Sequence, residues 1–354
     1  MEAYISICII GKNEEKCITR CMEAIKDFGF PIIYTDTGST DSTVEIASRY
    51  TDLIYHFEWC NDFSKARNFC AQKAPTDWIW VIDCDEYIKD TNFHELASLC
   101  RHPENNMTIG TIIQRDIFYQ NGHHAFSATR LGRIYNRNVF HYEGIIHEQI
   151  APIDKNTQVT YRDLGFSQNH DGYSDPDVLS MKSKRNADLL RIALEDGEDP
   201  YLYYQLGRCY TVLGQAARAA DAYGRGLELD VDPDLFYVKS MVESYGYSLL
   251  DLKEYRTALS FENIYDTFAN TADFLFLMGL IYMNNAMFDK AIQEFKKATA
   301  YASSTVEGVN SFLAHYNIGV ICECLGRTED ALLHYGKCGD YAPALKRSEV
   351  LKHG

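Results

Sequence analysis

The chain has 354 residues, 46% of them hydrophobic, and a formal net charge of −16. That length and apolar content predict two folded domains and exclude a disordered chain, while the acidity excludes a broad electrostatic partnership with nucleic acid or an anionic membrane face. The N-terminal run lacks the basic residues of a signal peptide, no stretch approaches the roughly 20 apolar residues of a transmembrane segment, and eleven scattered cysteines without paired CxxC spacing fit reduced thiols and a cytoplasmic location.

Up to about residue 170, short β-rich runs alternate with helical patterns. Tyr4 to Ile10 is predicted as a strand, and Ile18, Cys21, Met22 and Ile25 then fall on one face of a helix. Pro31 to Thr35 gives a second strand, running into the turn Asp36-Thr37-Gly38-Ser39-Thr40-Asp41-Ser42, whose last residues suit the cap of a helix holding Val44 and Ala47. Leu53 to Phe57 is a third strand, Phe63 to Ala74 a helix and Trp78 to Asp83 a fourth strand. This βαβα order predicts an α/β domain with a mostly parallel sheet and helices on both faces. Ligands of such sheets bind beyond the carboxyl ends of the strands, where Asp36 and the Asp83–Asp85 stretch fall.

Residues 173–199, with a charged run from Met181 to Leu194, read as a connecting helix between a first domain at 1–172 and an all-α domain at 200–354. In the latter, a glycine followed twelve residues later by an alanine recurs at Gly207/Ala219, Gly246/Ala258, Gly279/Ala291 and Gly319/Ala331. The spacing of these units is close to the 34-residue period of tetratricopeptide repeats, so about four repeats are expected, the second being the least regular.

"VIDCDEYI", residues 81–88, drives a buried strand into clustered acid: Asp83, Asp85 and Glu86. Alternation would place the two aspartates of this DxD on one side, a geometry suited to Mg²⁺ or Mn²⁺ shared with a diphosphate; a solvated strand end is the plain alternative. "SKARN" places Arg67 and Asn68 on a helix whose outer face would ordinarily be solvated. "HYEGIIHEQI" offers His141, Glu143, His147 and Glu148 in ten residues; a β-hairpin with exposed polar residues is the plain alternative. Arg130 and Arg133 stay unassigned. Trp59 stands out beside "NDFSKARN".

The stretches "CIIGKNEE", "YTDTGSTDST", "WCNDFSKARNF" and "WIWVIDCDE" resemble the donor-binding half of family-two glycosyltransferases, which have the GT-A fold and generally invert the anomeric centre. "TRLGRIYNRNVFHYEGIIHEQI" and "NHDGY" are similar to the subgroup carrying tetratricopeptide repeats, which includes sublancin-type S-glycosyltransferases and proposed flagellin glycosyltransferases. The resemblance implies a metal-dependent transfer of a hexosyl or N-acetylhexosaminyl group from a UDP-sugar to a peptide or protein side chain. It places Asn13, Asp36, Arg67, Asn68 and Asp83 at the donor, Asp83, Asp85 and His170 at a Mn²⁺ or Mg²⁺ ion with Asp171 as an alternate polar contact, and Glu148 as the catalytic base, with Glu143 as its alternative and His147 orienting the acid. The repeats would hold the polypeptide acceptor. Other readings are a cell-surface glycan acceptor with repeats mediating homodimer assembly, a repeat scaffold with an inactive transferase domain, and a nucleotidyltransferase, the last disfavoured because no GxxxxGK loop is present.

Overall fold

The computed structural model describes residues 3–120, 123–170 and 176–353, so Asp171 and the rest of "DGY" lie outside the described residues. The chain divides into two compact units, Met1–Ala193 and Leu194–Gly354. The division falls near the end of the helix expected as a connector, most of which therefore belongs with the first unit.

In the first unit, β1 (Ser6–Gly11), α1 (Ile18–Ile25), β2 (Ile32–Asp36), α2 (Thr43–Ala47), β3 (Ile54–His56), α3 (Phe63–Lys73) and β4 (Trp78–Asp83) alternate as expected. They are followed by β5 (Glu86–Asp90), α4 (Phe93–Cys100), β6 (Thr108–Gln120), β7 (His123–Asn136), β8 (Phe140–Glu143), β9 (Gln149–Pro152), β10 (Thr160–His170) and α5 (Pro176–Glu195). One sheet has the strand order β3-β2-β1-β4-β7-β6-β10-β5, and β8 pairs with β9 in a separate ribbon. The β1–β2, β2–β3, β1–β4 and β6–β10 pairings are parallel, whereas β4–β7, β6–β7 and β5–β10 are antiparallel. The sheet is thus mixed, which corrects the mostly parallel expectation. One source is the β6–β7 pair: two long strands separated by only two residues of sequence are obliged to run antiparallel, because a parallel neighbour needs a crossover of a dozen or more residues.

β4 explains why the core sits on both faces of this sheet. Its Trp78, Trp80 and Ile82 pack with Ile18, Met22 and Ile25 of α1 and with Leu96 and Leu99 of α4. The intervening Ile79 and Val81 pack with Ala66, Cys70 and Ala71 of α3. Period-two alternation therefore reads as an unbroken apolar run, as a strand covered on both sides requires. Register then sets the site: Gly11 lies opposite Asp36, and Ile10 opposite Asp83, so the carboxyl ends of β1, β2 and β4 finish together.

The second unit is helical: α6 (Pro200–Val212), α7 (Ala216–Glu228), α8 (Phe236–Asp251), α9 (Tyr255–Ala258), a 3-10 segment (Leu259–Ile264), α10 (Tyr265–Phe268), α11 (Ala272–Asn284), α12 (Phe288–Ala298), α13 (Phe312–Cys324), α14 (Thr328–Gly336) and α15 (Ala342–His353). The recurring small residues are where helices touch. A Cβ on Gly207 would lie 2.3 Å from the Tyr223 ring, on Gly279 2.6 Å from Phe295, and on Gly319 2.5 Å from Tyr335. Each aromatic stands sixteen residues after its glycine. At that offset from Gly246 the chain has Glu262, and Phe261 and Leu277 fill the space instead. There the second helix of the pair breaks into α9, the 3-10 segment and α10, which accounts for the irregular second unit.

Gly279→Ala is expected to destabilise by about 1–3 kcal/mol through overpacking against Phe295. Gly336→Ala, where a Cβ meets nothing within 4 Å, is expected to leave the melting temperature unchanged or raise it slightly. Thermal denaturation of the two variants checks this pair; equal losses at both sites would contradict the packing account.

Candidate active site

The loop after β1 approaches its neighbours closely. A Cβ on Gly11 would lie 2.7 Å from both Cys84 Sγ and Tyr34 Oη, so only glycine fits. Asn13, in the left-handed region at φ 58°, ties this loop to the one after β2: its N–H donates to Ser39 Oγ at 3.0 Å and its Oδ1 accepts from Thr40 N–H at 2.8 Å. The buried Asp36 carboxylate accepts from Gly38 N–H at 3.1 Å and from Ser39 N–H at 3.1 Å, with His56 Nδ1 3.5 Å away. Gly38 has φ +105°, a conformation that L side chains rarely adopt. These bonds close the turn; at the start of α2, Ser42 makes no side-chain cap bond and Asp41 Oδ1 instead accepts the Thr43 N–H at 3.0 Å, while the His56 contact places an imidazole beside Asp36.

Arg67 is buried on α3 and joins two carboxylates that are far apart in sequence. Its Nη1 lies 2.8 Å from Asp83 Oδ1, and its Nε donates to Glu148 Oε1 at 2.6 Å. Its guanidinium also stands over the Tyr142 ring, 5.4 Å from the centroid. Burial alone would raise the Asp83 carboxyl, but Arg67 and Arg133 outweigh it and hold it down to about 2. Arg133, on β7, reaches Asp83 Oδ2 at 3.2 Å and pairs with Glu86 Oε1. Glu86 Oε2 accepts the Asp83 N–H at 2.9 Å, and burial pushes the Glu86 carboxyl up.

Asn68, expected at the donor, pairs both halves of its amide with the Tyr142 backbone: Nδ2 donates to the carbonyl at 2.9 Å and Oδ1 accepts the N–H at 2.9 Å. It thereby fixes the β8–β9 ribbon onto α3. That ribbon is the hairpin anticipated for "HYEGIIHEQI", and it separates the two candidate bases. Glu148 is 11% exposed and enters the Arg67 network, whereas Glu143 is 50% exposed and meets His141 Nε2 at 2.8 Å. His147 adopts φ 53° between them, a strained backbone for a non-glycine residue beside the site. Trp59 donates from Nε1 to Asn61 Oδ1 at 3.0 Å and packs edge-on against Phe63.

Asp85 has different partners from Asp83. His170 Nε2 is 3.2 Å from its Oδ2, and Lys182 Nζ donates to the same oxygen at 2.7 Å. Burial opposes ionisation of Asp85, yet the His170 hydrogen bond and the Lys182 charge hold its carboxyl well below the usual range. Glu14 completes this side: its Oε2 accepts from Cys17 Sγ at 3.0 Å, and burial raises both groups, Cys17 to about 12. The acids of "VIDCDE" are thus met by protein cations: Arg67 and Arg133 on Asp83, Arg133 on Glu86, and Lys182 on Asp85.

The residues expected at a metal divide accordingly. Among the described residues, no group of three or more His, Cys, Asp and Glu side chains is arranged to hold an ion, so Asp83, Asp85 and His170 are not a ready-made cage. Both Asp83 oxygens face guanidinium groups. Asp85 and His170, by contrast, bring a carboxylate oxygen and an imidazole nitrogen together at one place, a donor pair that suits Mn²⁺ or Mg²⁺ when phosphate oxygens and water supply the remaining ligands. Sequence reasoning misses Glu14 and Lys182, gives Glu86 no role beyond its place in the acid cluster, and leaves Arg133 unassigned.

Comparison with known proteins bears on both units. Residues 6–156 match the Glycosyl transferase family 2 model, and residues 272–305 match a tetratricopeptide repeat model. The chain is 31% identical over 223 residues to the SPbeta prophage-derived glycosyltransferase SunS of Bacillus subtilis, covering 61% of this chain and 51% of that protein. It is 38% identical over 102 residues to a TPR repeat-containing protein of Synechococcus elongatus, covering 29% of this chain and 25% of that protein. The chain spans about half the length of the SunS relative or less of the others. The solved structure of YrrB, a TPR protein, matches 49% of this chain and 88% of its own at a TM-score of 0.41 and 24% identity. Residues 6–156 are thus a glycosyl transferase family 2 domain, and the helical unit that follows carries a tetratricopeptide repeat at 272–305.

Proposed function

We propose that this chain is an inverting glycosyltransferase that moves a hexosyl or N-acetylhexosaminyl group from a UDP-sugar to a peptide or protein side chain. The observation that carries the reading is the Arg67 bridge. It couples Asp83, at the carboxyl end of a central strand, to Glu148, on the ribbon beside it, within the family-two domain. Asp36 and Asn13, on the loops after β2 and β1, would meet the uridine, and Asp83 the ribose. Glu148 would take the proton from an acceptor hydroxyl or thiol as it attacks the anomeric carbon opposite the diphosphate. Arg67 orients both acids, and Asn68 braces the ribbon that carries one of them.

Asp85 and His170 would hold a divalent ion, Mn²⁺ or Mg²⁺, which when bound supplies positive charge to the departing diphosphate. The repeats support a polypeptide acceptor, since stacked helical repeats offer extended surfaces to peptides. The eleven free thiols support a reducing, cytoplasmic setting. No helix among the described residues is long and apolar enough to cross a membrane.

The test is UDP release from a panel of UDP-sugars with Mn²⁺, Mg²⁺ or EDTA, comparing wild type with Asp85→Ala. Hydrolysis of one donor that needs metal and is lost in the variant is the expected result. Absence of both turnover and donor binding under every condition would remove the enzyme reading in favour of a repeat scaffold with an inactive domain.

A further inference from the structure

α5 projects two cations toward the acids of the site. Lys182 and Arg185 stand three residues apart, hence on one side of the helix. Lys182 Nζ lies 2.7 Å from Asp85 Oδ2, the oxygen that also meets His170 Nε2. Arg185 lies over the Phe63 ring at 5.1 Å and within electrostatic reach of Glu14, Asp85, Glu148 and Asp83. Nothing in the strand-and-loop grammar of the family-two domain, which matches residues 6–156, supplies these two side chains.

An ammonium 2.7 Å from Asp85 Oδ2 and a divalent ion on the same oxygen repel each other, so the lysine contact opposes metal binding there. Lys182 is only partly covered, at 27% side-chain exposure, and its flexible stem lets the ammonium move without disturbing α5. We propose that Lys182 is a built-in competitor for the metal place at Asp85. It neutralises the carboxylate while the cleft lacks a donor, and it transfers to the diphosphate when a donor arrives, which opens Asp85 to the ion. This inference rests on the metal reading of Asp85 and His170 given above. Metal and donor binding then become linked: the protein alone takes up metal poorly, and an anionic diphosphate promotes uptake by drawing the ammonium away.

The test measures Mn²⁺ binding to the full chain from the EPR signal of the free aquo ion, with no nucleotide present and again with UDP. Lys182→Met is expected to bind Mn²⁺ without nucleotide roughly tenfold or more tightly than wild type, since a charge-assisted contact no longer has to be displaced. Lys182→Arg, which keeps the charge, is expected to resemble wild type, and adding Asp85→Asn to Lys182→Met is expected to abolish the gain. Lys182→Gln serves if the methionine variant does not fold. Wild type and Lys182→Met binding Mn²⁺ equally, or the gain surviving Asp85→Asn, would overturn the competition while leaving the metal site intact. No Mn²⁺ bound by any variant, with or without UDP, would overturn both this inference and the metal reading beneath it.

Discussion

Glu148→Gln is expected to lower the rate of UDP release by roughly 10²–10⁴-fold, the range associated with a positioned general base, while UDP affinity stays within a few-fold of wild type. The substitution is nearly isosteric. The amide oxygen of glutamine can still accept from Arg67 Nε, which now donates to Glu148 Oε1 at 2.6 Å, so the network keeps its shape and only the proton acceptor is lost. Glu143→Gln supplies the contrast. Glu143 is half exposed and paired with His141, outside the Arg67 network, and its loss is expected to leave the rate within about twofold, as for a solvated surface group. Steady-state UDP release and calorimetric UDP titration of the two variants decide the matter. A rate collapse in Glu143→Gln with near-normal turnover in Glu148→Gln would move the base to Glu143, across the turn at the same end of the ribbon.

The sequence made the first half of the sheet readable because each element there is announced locally. β4 matches its expected bounds, Trp78 to Asp83, since an apolar run ending in acids marks both its burial and its stop. α1 buries the four residues its spacing singled out: Ile18, Cys21, Met22 and Ile25. The glycine–alanine offset of the helical unit was legible for the same reason, because it records a close approach between successive helices. What escaped was pairing at long range. Arg67 meets Glu148 across 81 positions, Arg133 meets Asp83 across 50, and Lys182 meets Asp85 across 97. No local spacing encodes such contacts; they follow from sheet order and from where α5 returns. Hence the clustered acids of "VIDCDE" are legible in the sequence, but the cationic side chains of α3, β7 and α5 that meet them are not.

The Arg67 bridge carries the second large expectation. Arg67→Met is expected to destabilise the protein by about 3–5 kcal/mol, because it removes one partner from a buried ion network and leaves Glu148 without the guanidinium. For a unit of this size that corresponds to a fall in melting temperature of roughly 6–20 °C. Lysine is expected not to rescue it. Arg67 reaches Asp83 through Nη1 and Glu148 through Nε at the same time, and a single ammonium has no such fork. The loss should also depend on pH in a definite sense. Asp83 is held at about 2 in the fold against about 3.9 for an ordinary aspartate, so its pairing supports the fold above about pH 4 and is lost as pH falls through about 2. The gap between wild type and Arg67→Met is therefore expected to narrow on acidification. Combining Arg67→Met with Glu148→Gln should recover part of the stability, since the second change removes the stranded charge, and the resulting non-additivity measures the bridge itself. Strict additivity of the two changes, or an unchanged melting temperature in Arg67→Met, would mean that the contact at 2.6 Å contributes nothing to holding the ribbon and its acid at the end of β4.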